Sequence, residues 1–160
     1  GYRAPRLLNG GYRAWLSLGL EPEAGDTATE PIVAAPPGNY AGFLDREGVI
    51  EAQAANAQLV DVREPKRYEG LEEPIDPVAG HIPGAINLPW QGVTDNEGRV
   101  LPPEALRGYL GELLERESLV VYCGSGVTAC VNLFALALLG RDDPALYPGS
   151  WSDWCSVLAD

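Results

Sequence analysis

Apolar and polar positions change their period several times along this chain, and each change marks an element. Leu119-Val120-Val121-Tyr122 is an unbroken β-rich run, the pattern of a central parallel strand covered on both faces. Leu59-Val60-Asp61-Val62 reads as a second buried strand, with shorter ones at Ala85-Ile86-Asn87-Leu88, at Ala145-Leu146-Tyr147 and over residues 40–44. Between them the period becomes helical. Asp45 is placed to cap a helix over residues 46–56, with Val49, Ile50 and Ala54 on one face. Pro103 suits the first turn of a helix running to about residue 116, striped by Leu106, Leu110, Leu113 and Leu114. Residues 128–139 are apolar nearly all round, with Asn132 the main exception, which predicts a buried helix. Gly149-Ser150-Trp151 opens a terminal helix. Strands alternating with helices predict an α/β fold with a largely parallel central sheet and helices on both faces.

The start of the chain breaks this rhythm. Residues 7–15 read as the end of a strand, a Gly turn and a short helix that stops near Gly19. From residue 21 to 38 the composition shifts to Pro, Ala, Gly, Thr and Glu, with Pro22, Pro31, Pro36 and Pro37, the signature of a linker. Residues 63–80 are polar and broken by prolines, long enough to form a functional loop.

Composition narrows the function. The 160 residues are 46% apolar and 21% charged, which suits one soluble domain with a linker to spare. The longest apolar run, residues 133–139, falls short of the ~18 residues a span requires, and no leader pattern opens the chain, so no membrane partner is expected. A formal charge of −12 repels nucleic acid, and an anionic small substrate would need a local positive site. Three cysteines without paired short spacings, and a single histidine, argue against disulfides and metal, and point to a reducing, cytoplasmic setting.

The chemistry concentrates at Tyr122-Cys123-Gly124-Ser125-Gly126-Val127-Thr128. A cysteine ends a buried strand, two glycines permit a tight loop, and a helix follows. Inward-pointing amides and the helix N-terminus together favour thiolate over thiol there. The alternative is a buried cysteine that merely ends a strand. The loop and the helix behind it favour the reactive reading for Cys123, whereas Cys130 and Cys155 lack such a setting. A nucleotide-binding loop would need Lys before Ser or Thr, and Val127-Thr128 stands there. A cysteine phosphatase would need an arginine after the loop, and Ala129 and Cys130 stand there.

These residues resemble the active loop of the two-domain rhodanese and 3-mercaptopyruvate sulfurtransferases. Asp61-Val62-Arg63 and Arg67-Tyr68-Glu69-Gly70 are similar to that family's strand and substrate loop. Gly80-His81-Ile82-Pro83-Gly84-Ala85 and Leu146-Tyr147-Pro148-Gly149-Ser150-Trp151 resemble two further family motifs, in the family's order. The resemblance divides the chain into a remnant of a preceding rhodanese domain (1–26), a linker (27–38) and a catalytic rhodanese domain (39–160).

What the resemblance implies is a sulfurtransferase in which Cys123 carries sulfur as a persulfide, without metal or organic cofactor. Gly124, Ser125, Gly126, Val127 and Thr128 would form the loop, with the Ser125 hydroxyl in reach of sulfur or substrate. Arg67 would anchor a small anionic donor, thiosulfate or 3-mercaptopyruvate. Arg63 would help it or brace the loop through Asp61. A thiol or cyanide would accept the sulfur, and the absent N-terminal domain would supply the other wall of the pocket. Ile75 stands where many mercaptopyruvate enzymes have a second arginine, yet Gly124-Ser125 lacks the basic residues usual in thiosulfate enzymes. His81 is expected to order a turn, and Trp90, Trp151 and Trp154 to serve packing. The competing expectations are a non-catalytic rhodanese-like binding module, or a fragment inactive without its N-terminal domain.

Overall fold

The computed structural model of the chain describes residues 6–25 and 42–158. Four strands, β1 (Gln58–Asp61), β2 (Ile86–Asn87), β3 (Leu119–Tyr122) and β4 (Ala145–Leu146), pair in parallel in the order β2-β1-β3-β4. The helices are α1 (Gly11–Ser17), α2 (Arg46–Ala54), α3 (Pro65–Tyr68), α4 (Pro103–Leu114), α5 (Ala129–Leu138) and α6 (Ser150–Cys155), with a 3-10 turn at Trp90–Val93. The parallel α/β architecture is the one the strand and helix periods predict.

Every residue of β3 is buried, because the sheet is covered on both faces. Leu119 and Val121 point into one core with Leu106, Leu110 and Leu113 of α4 and Ala135 and Leu136 of α5. Val120 and Tyr122 point into the other, with Val49 of α2 and Trp151 and Cys155 of α6. The two-residue alternation of a strand therefore sorts β3 between two helical layers.

Three local expectations need correction. Residues 6–8 carry no regular structure, so no strand end precedes α1 among the described residues. Asp45 caps α2 as expected, accepting the Gly48 N–H at 2.9 Å, but the helix buries Val49 and half-buries Ala52 while Ile50 and Ala54 face solvent. The expected strand at residues 40–44 lies partly outside the described residues. Within them Phe43 makes a single parallel bridge to Leu146.

The largest departure is α5. Its buried residues are Ala129, Asn132, Ala135 and Leu136, whereas Phe134 and Leu138 are 40% and 49% exposed. The 3.6-residue period places those four on one face of the helix and turns Phe134 and Leu138 to the other. Asn132 stays inside because its Nδ2 donates to the Leu88 carbonyl at 3.1 Å.

Chain order fixes the site. From β1 the chain crosses to β2 on one side, and later reaches β3 on the other side of β1. Such a reversal opens a crevice beyond the carboxyl ends of β1 and β3. Arg63 follows β1 there and Cys123 follows β3. The predicted linker, residues 27–38, lies outside the described residues. α1 forms as predicted, with Gly19 just beyond it at φ 72, and Asn9 ties this segment to the body by accepting the Val100 N–H at 2.8 Å.

Candidate active site

Cys123 is 2% exposed, at the floor of a cleft of about 290 Å³. Burial alone would push its thiol up. The Thr128 hydroxyl and the amides of Ala129, Ser125 and Thr128 all donate toward the sulfur, and they outweigh burial and hold the thiol below its ordinary range. The first turn of α5 thus directs its free amides at the sulfur. Gly126 makes the loop's curvature possible: its φ is 77, and a Cβ there would lie 2.7 Å from the Pro148 carbonyl oxygen. Ser125 and Val127 are exposed at the rim. Cys130 is exposed with its Sγ donating to the Gly126 carbonyl at 3.4 Å, and Cys155 is buried with its thiol pushed up by burial. Neither lines the cleft.

The loop is held from behind by α6, a contact the sequence reading missed. Ser150, fully buried at φ 54, donates its hydroxyl to the Tyr147 carbonyl at 2.9 Å and accepts the Cys123 N–H at 3.1 Å. The N–H groups of Trp151 and Ser152 donate to the carbonyls of Cys123 and Gly124, each at 3.0 Å. One turn of helix therefore secures the backbone on either side of the sulfur-bearing residue. The only sequence signal was the Gly149-Ser150-Trp151 helix start, which does not reveal that the serine faces the loop.

The arginines have different settings. Arg63 is 2% exposed and packs over the Trp151 ring at 5.1 Å. It grips Asp61 through Nε (3.1 Å to both oxygens) and Nη2 (2.7 Å), and donates to the Gly80 carbonyl (2.6 Å) and to Glu73 (3.2 Å). Residues 63–80 are thereby braced, and the Arg63–Asp61 pair that braces them is buried. Arg63 still borders the cleft, but its hydrogen bonds point into the protein. Arg67 rides on α3, a short helix begun by Pro65 inside the segment read as loop. It donates to Glu73 from Nη2 at 2.7 Å and Nε at 3.2 Å, and to Asp76 from Nη2 at 3.3 Å. Its guanidinium lies over Gly124: a Cβ there would sit 3.5 Å from Nη1. Nη1 has no acceptor among the described residues, and it faces the cleft.

Glu73 and Asp76 escaped the sequence reading because acidic residues are frequent in this chain and only the fold brings these two to Arg67. Trp90, assigned to packing, also lines the cleft, while Trp151 is core and donates its Nε1–H to the Val78 carbonyl at 2.9 Å. His81 sits away from the sulfur: its ring stacks on Tyr68 at 3.9 Å and its Nδ1 meets the Tyr68 carbonyl at 2.7 Å, which orders the turn into β2. Among the described residues no group of three or more His, Cys, Asp or Glu could hold a metal ion.

Cys123 thus lies between a parallel strand and a helix, with Arg67 above the loop that follows it. Residues 47–157 match the model of the rhodanese-like domain, and the chain belongs to the rhodanese family. It is 44% identical over 158 residues to a probable 3-mercaptopyruvate sulfurtransferase of Pseudomonas aeruginosa, covering 92% of this chain and 54% of the relative. It is 36% identical over 160 residues to the thiosulfate sulfurtransferase of Rattus norvegicus, covering 96% and 54%. The solved structure of 3-mercaptopyruvate sulfurtransferase from Leishmania major superposes with a TM-score of 0.74 at 31% identity, covering 93% of this chain and 43% of that one. The chain spans about half the length of the curated relatives it matches.

Proposed function

We propose that this domain is a sulfurtransferase that moves a sulfane sulfur from a small anionic donor to a thiophilic acceptor through a persulfide on Cys123. The observation that carries the reading is the placing of Cys123 on a cleft lined by Gly124, Ser125, Val127, Thr128 and Arg67, where the Thr128 hydroxyl and the loop amides outweigh burial and hold its thiol low. The relatives' names support the reaction class, since they include both mercaptopyruvate and thiosulfate sulfurtransferases.

In the first half-reaction the Cys123 thiolate attacks the outer sulfur of the donor, and a sulfur–sulfur bond forms. With thiosulfate, the donor's own sulfur–sulfur bond breaks and its electron pair leaves on sulfite. With 3-mercaptopyruvate, the carbon–sulfur bond breaks, the pair goes to carbon, and the thiol's proton ends on the methyl group of pyruvate. In the second half-reaction cyanide or a thiolate takes the outer sulfur and returns Cys123 as thiolate. Electrons balance in both halves without an outside oxidant. The loop donors stabilise the anionic sulfur of thiolate and persulfide alike. Arg67 offers Nη1 to the donor's anionic group, and Arg63 braces the wall behind it.

Ile75 and Val127, 72% and 71% exposed at the cleft, favour one refinement. An apolar rim of this kind suits cover by a second wall, and we assign that wall to a preceding rhodanese domain to which residues 1–26 belong. The test is mass spectrometry after incubation with each donor. Cys123 should gain one sulfur atom, cyanide should remove it, and Cys123→Ala should abolish the gain. Full-length protein that takes up no sulfur from either donor would mark a binding module instead.

A further inference from the structure

Arg67 is the cation that faces the cleft, yet most of its hydrogen-bonding edge is already taken. Glu73 occupies Nε and Nη2, and Asp76 takes Nη2 again, which leaves Nη1 alone toward Gly124. A single free edge cannot make the two-pronged grip that an arginine usually offers a multi-oxygen anion. The charges point the same way. Arg63 and Arg67 face three carboxylates, Asp61, Glu73 and Asp76, so the cluster holds one excess negative charge before the Cys123 thiolate is added. None of these five side chains is more than 15% exposed, so solvent screens them weakly.

The carboxylates are not equivalent. Asp61 is locked by Arg63, and Glu73 is fixed by both arginines and by the N–H groups of Ile75 (3.1 Å) and Asp76 (3.2 Å). Among the described residues the Asp76 carboxylate has one hydrogen bond, the 3.3 Å contact to Arg67. It is the charge that can change without disturbing the loop.

We propose that Asp76 is a specificity-determining residue, whose carboxylate on the outer edge of Arg67 selects singly charged sulfur donors over doubly charged ones. The inference rests on the reading above that Arg67 holds the donor. The Coulomb energy of the donor against Asp76 scales with donor charge. Its effect on the logarithm of affinity is therefore twice as large for dianionic thiosulfate as for monoanionic 3-mercaptopyruvate. Asp76 acts through the field and through Arg67 and touches no reacting atom, so its influence falls on KM.

The test is steady-state kinetics of the full-length protein and its Asp76→Asn variant with both donors, at fixed ionic strength and with cyanide as acceptor. The variant should raise kcat/KM for thiosulfate about tenfold and for 3-mercaptopyruvate about threefold, through KM with kcat nearly unchanged. Asp76→Glu, which keeps the charge, should keep the wild-type donor ratio. Equal factors for the two donors, or a fall with thiosulfate, would overturn the role of Asp76 while persulfide formation still stood. Absence of persulfide from both donors in the wild-type protein would overturn both.

Discussion

At the scale of the residue, Cys123 shows how a few hydrogen bonds reverse the effect of burial. A thiol 2% exposed should resist ionisation, yet Thr128 and three amides hold it low. The hydroxyl is the one donor of the four that a substitution can remove without touching the backbone. In a Cys130→Ser background, chosen because Cys130 is exposed and would itself be alkylated, Thr128→Val should move the pH midpoint of Cys123 alkylation upward and slow alkylation at neutral pH. An unmoved midpoint would show that the amides suffice. The placing of Cys123 in a loop between strand and helix was legible in the sequence because strand, glycines and helix are contiguous there. Ser150 was not, because its bond to the Cys123 N–H joins positions 27 residues apart.

Among the elements, α5 shows where periodicity stops informing. Residues 128–139 are so uniformly apolar that the pattern predicts burial without choosing a face. The structure buries Asn132 and exposes Phe134 and Leu138. Stability should follow the contacts rather than the hydropathy. Asn132→Ala leaves the Leu88 carbonyl without its donor and should cost about 1–3 kcal/mol. Phe134→Ala, on the outer face, should cost less than the same change in a closed core, where about 3–5 kcal/mol is usual. Urea denaturation of the two variants compares them directly, and a larger loss at Phe134 would contradict this account of the helix. α3 teaches a related lesson: four residues are too few to show a period, and Pro65 at its first turn was the one available signal.

For the whole molecule, buried charge links the loop of residues 63–80 to the fold. Burial would raise the Glu73 carboxyl, but Arg67 and the amides of Asp76 and Ile75 hold it below its ordinary value. A carboxyl depressed by folding stabilises the protein above its unfolded range, and that stabilisation is lost as pH falls through the folded value. Stability should therefore decline below about pH 4. Glu73→Gln should cost about 3 kcal/mol at neutral pH and flatten that decline, because it removes the two shorter contacts of Arg67 and the titrating group. Urea midpoints across pH read both effects, and an acid limb identical to wild type would rule out Glu73 as a contributor. By itself the sequence determined the parallel α/β class, the cysteine set between strand and helix and the motif-bearing loop, because each is written in contiguous residues whose period or spacing has local physical meaning. Only the tertiary structure decided which face of α5 is buried, that Arg63 braces while Arg67 faces the cleft, and that two carboxylates share Arg67. Those outcomes depend on side chains brought together across the sheet, and no local pattern encodes who meets whom there.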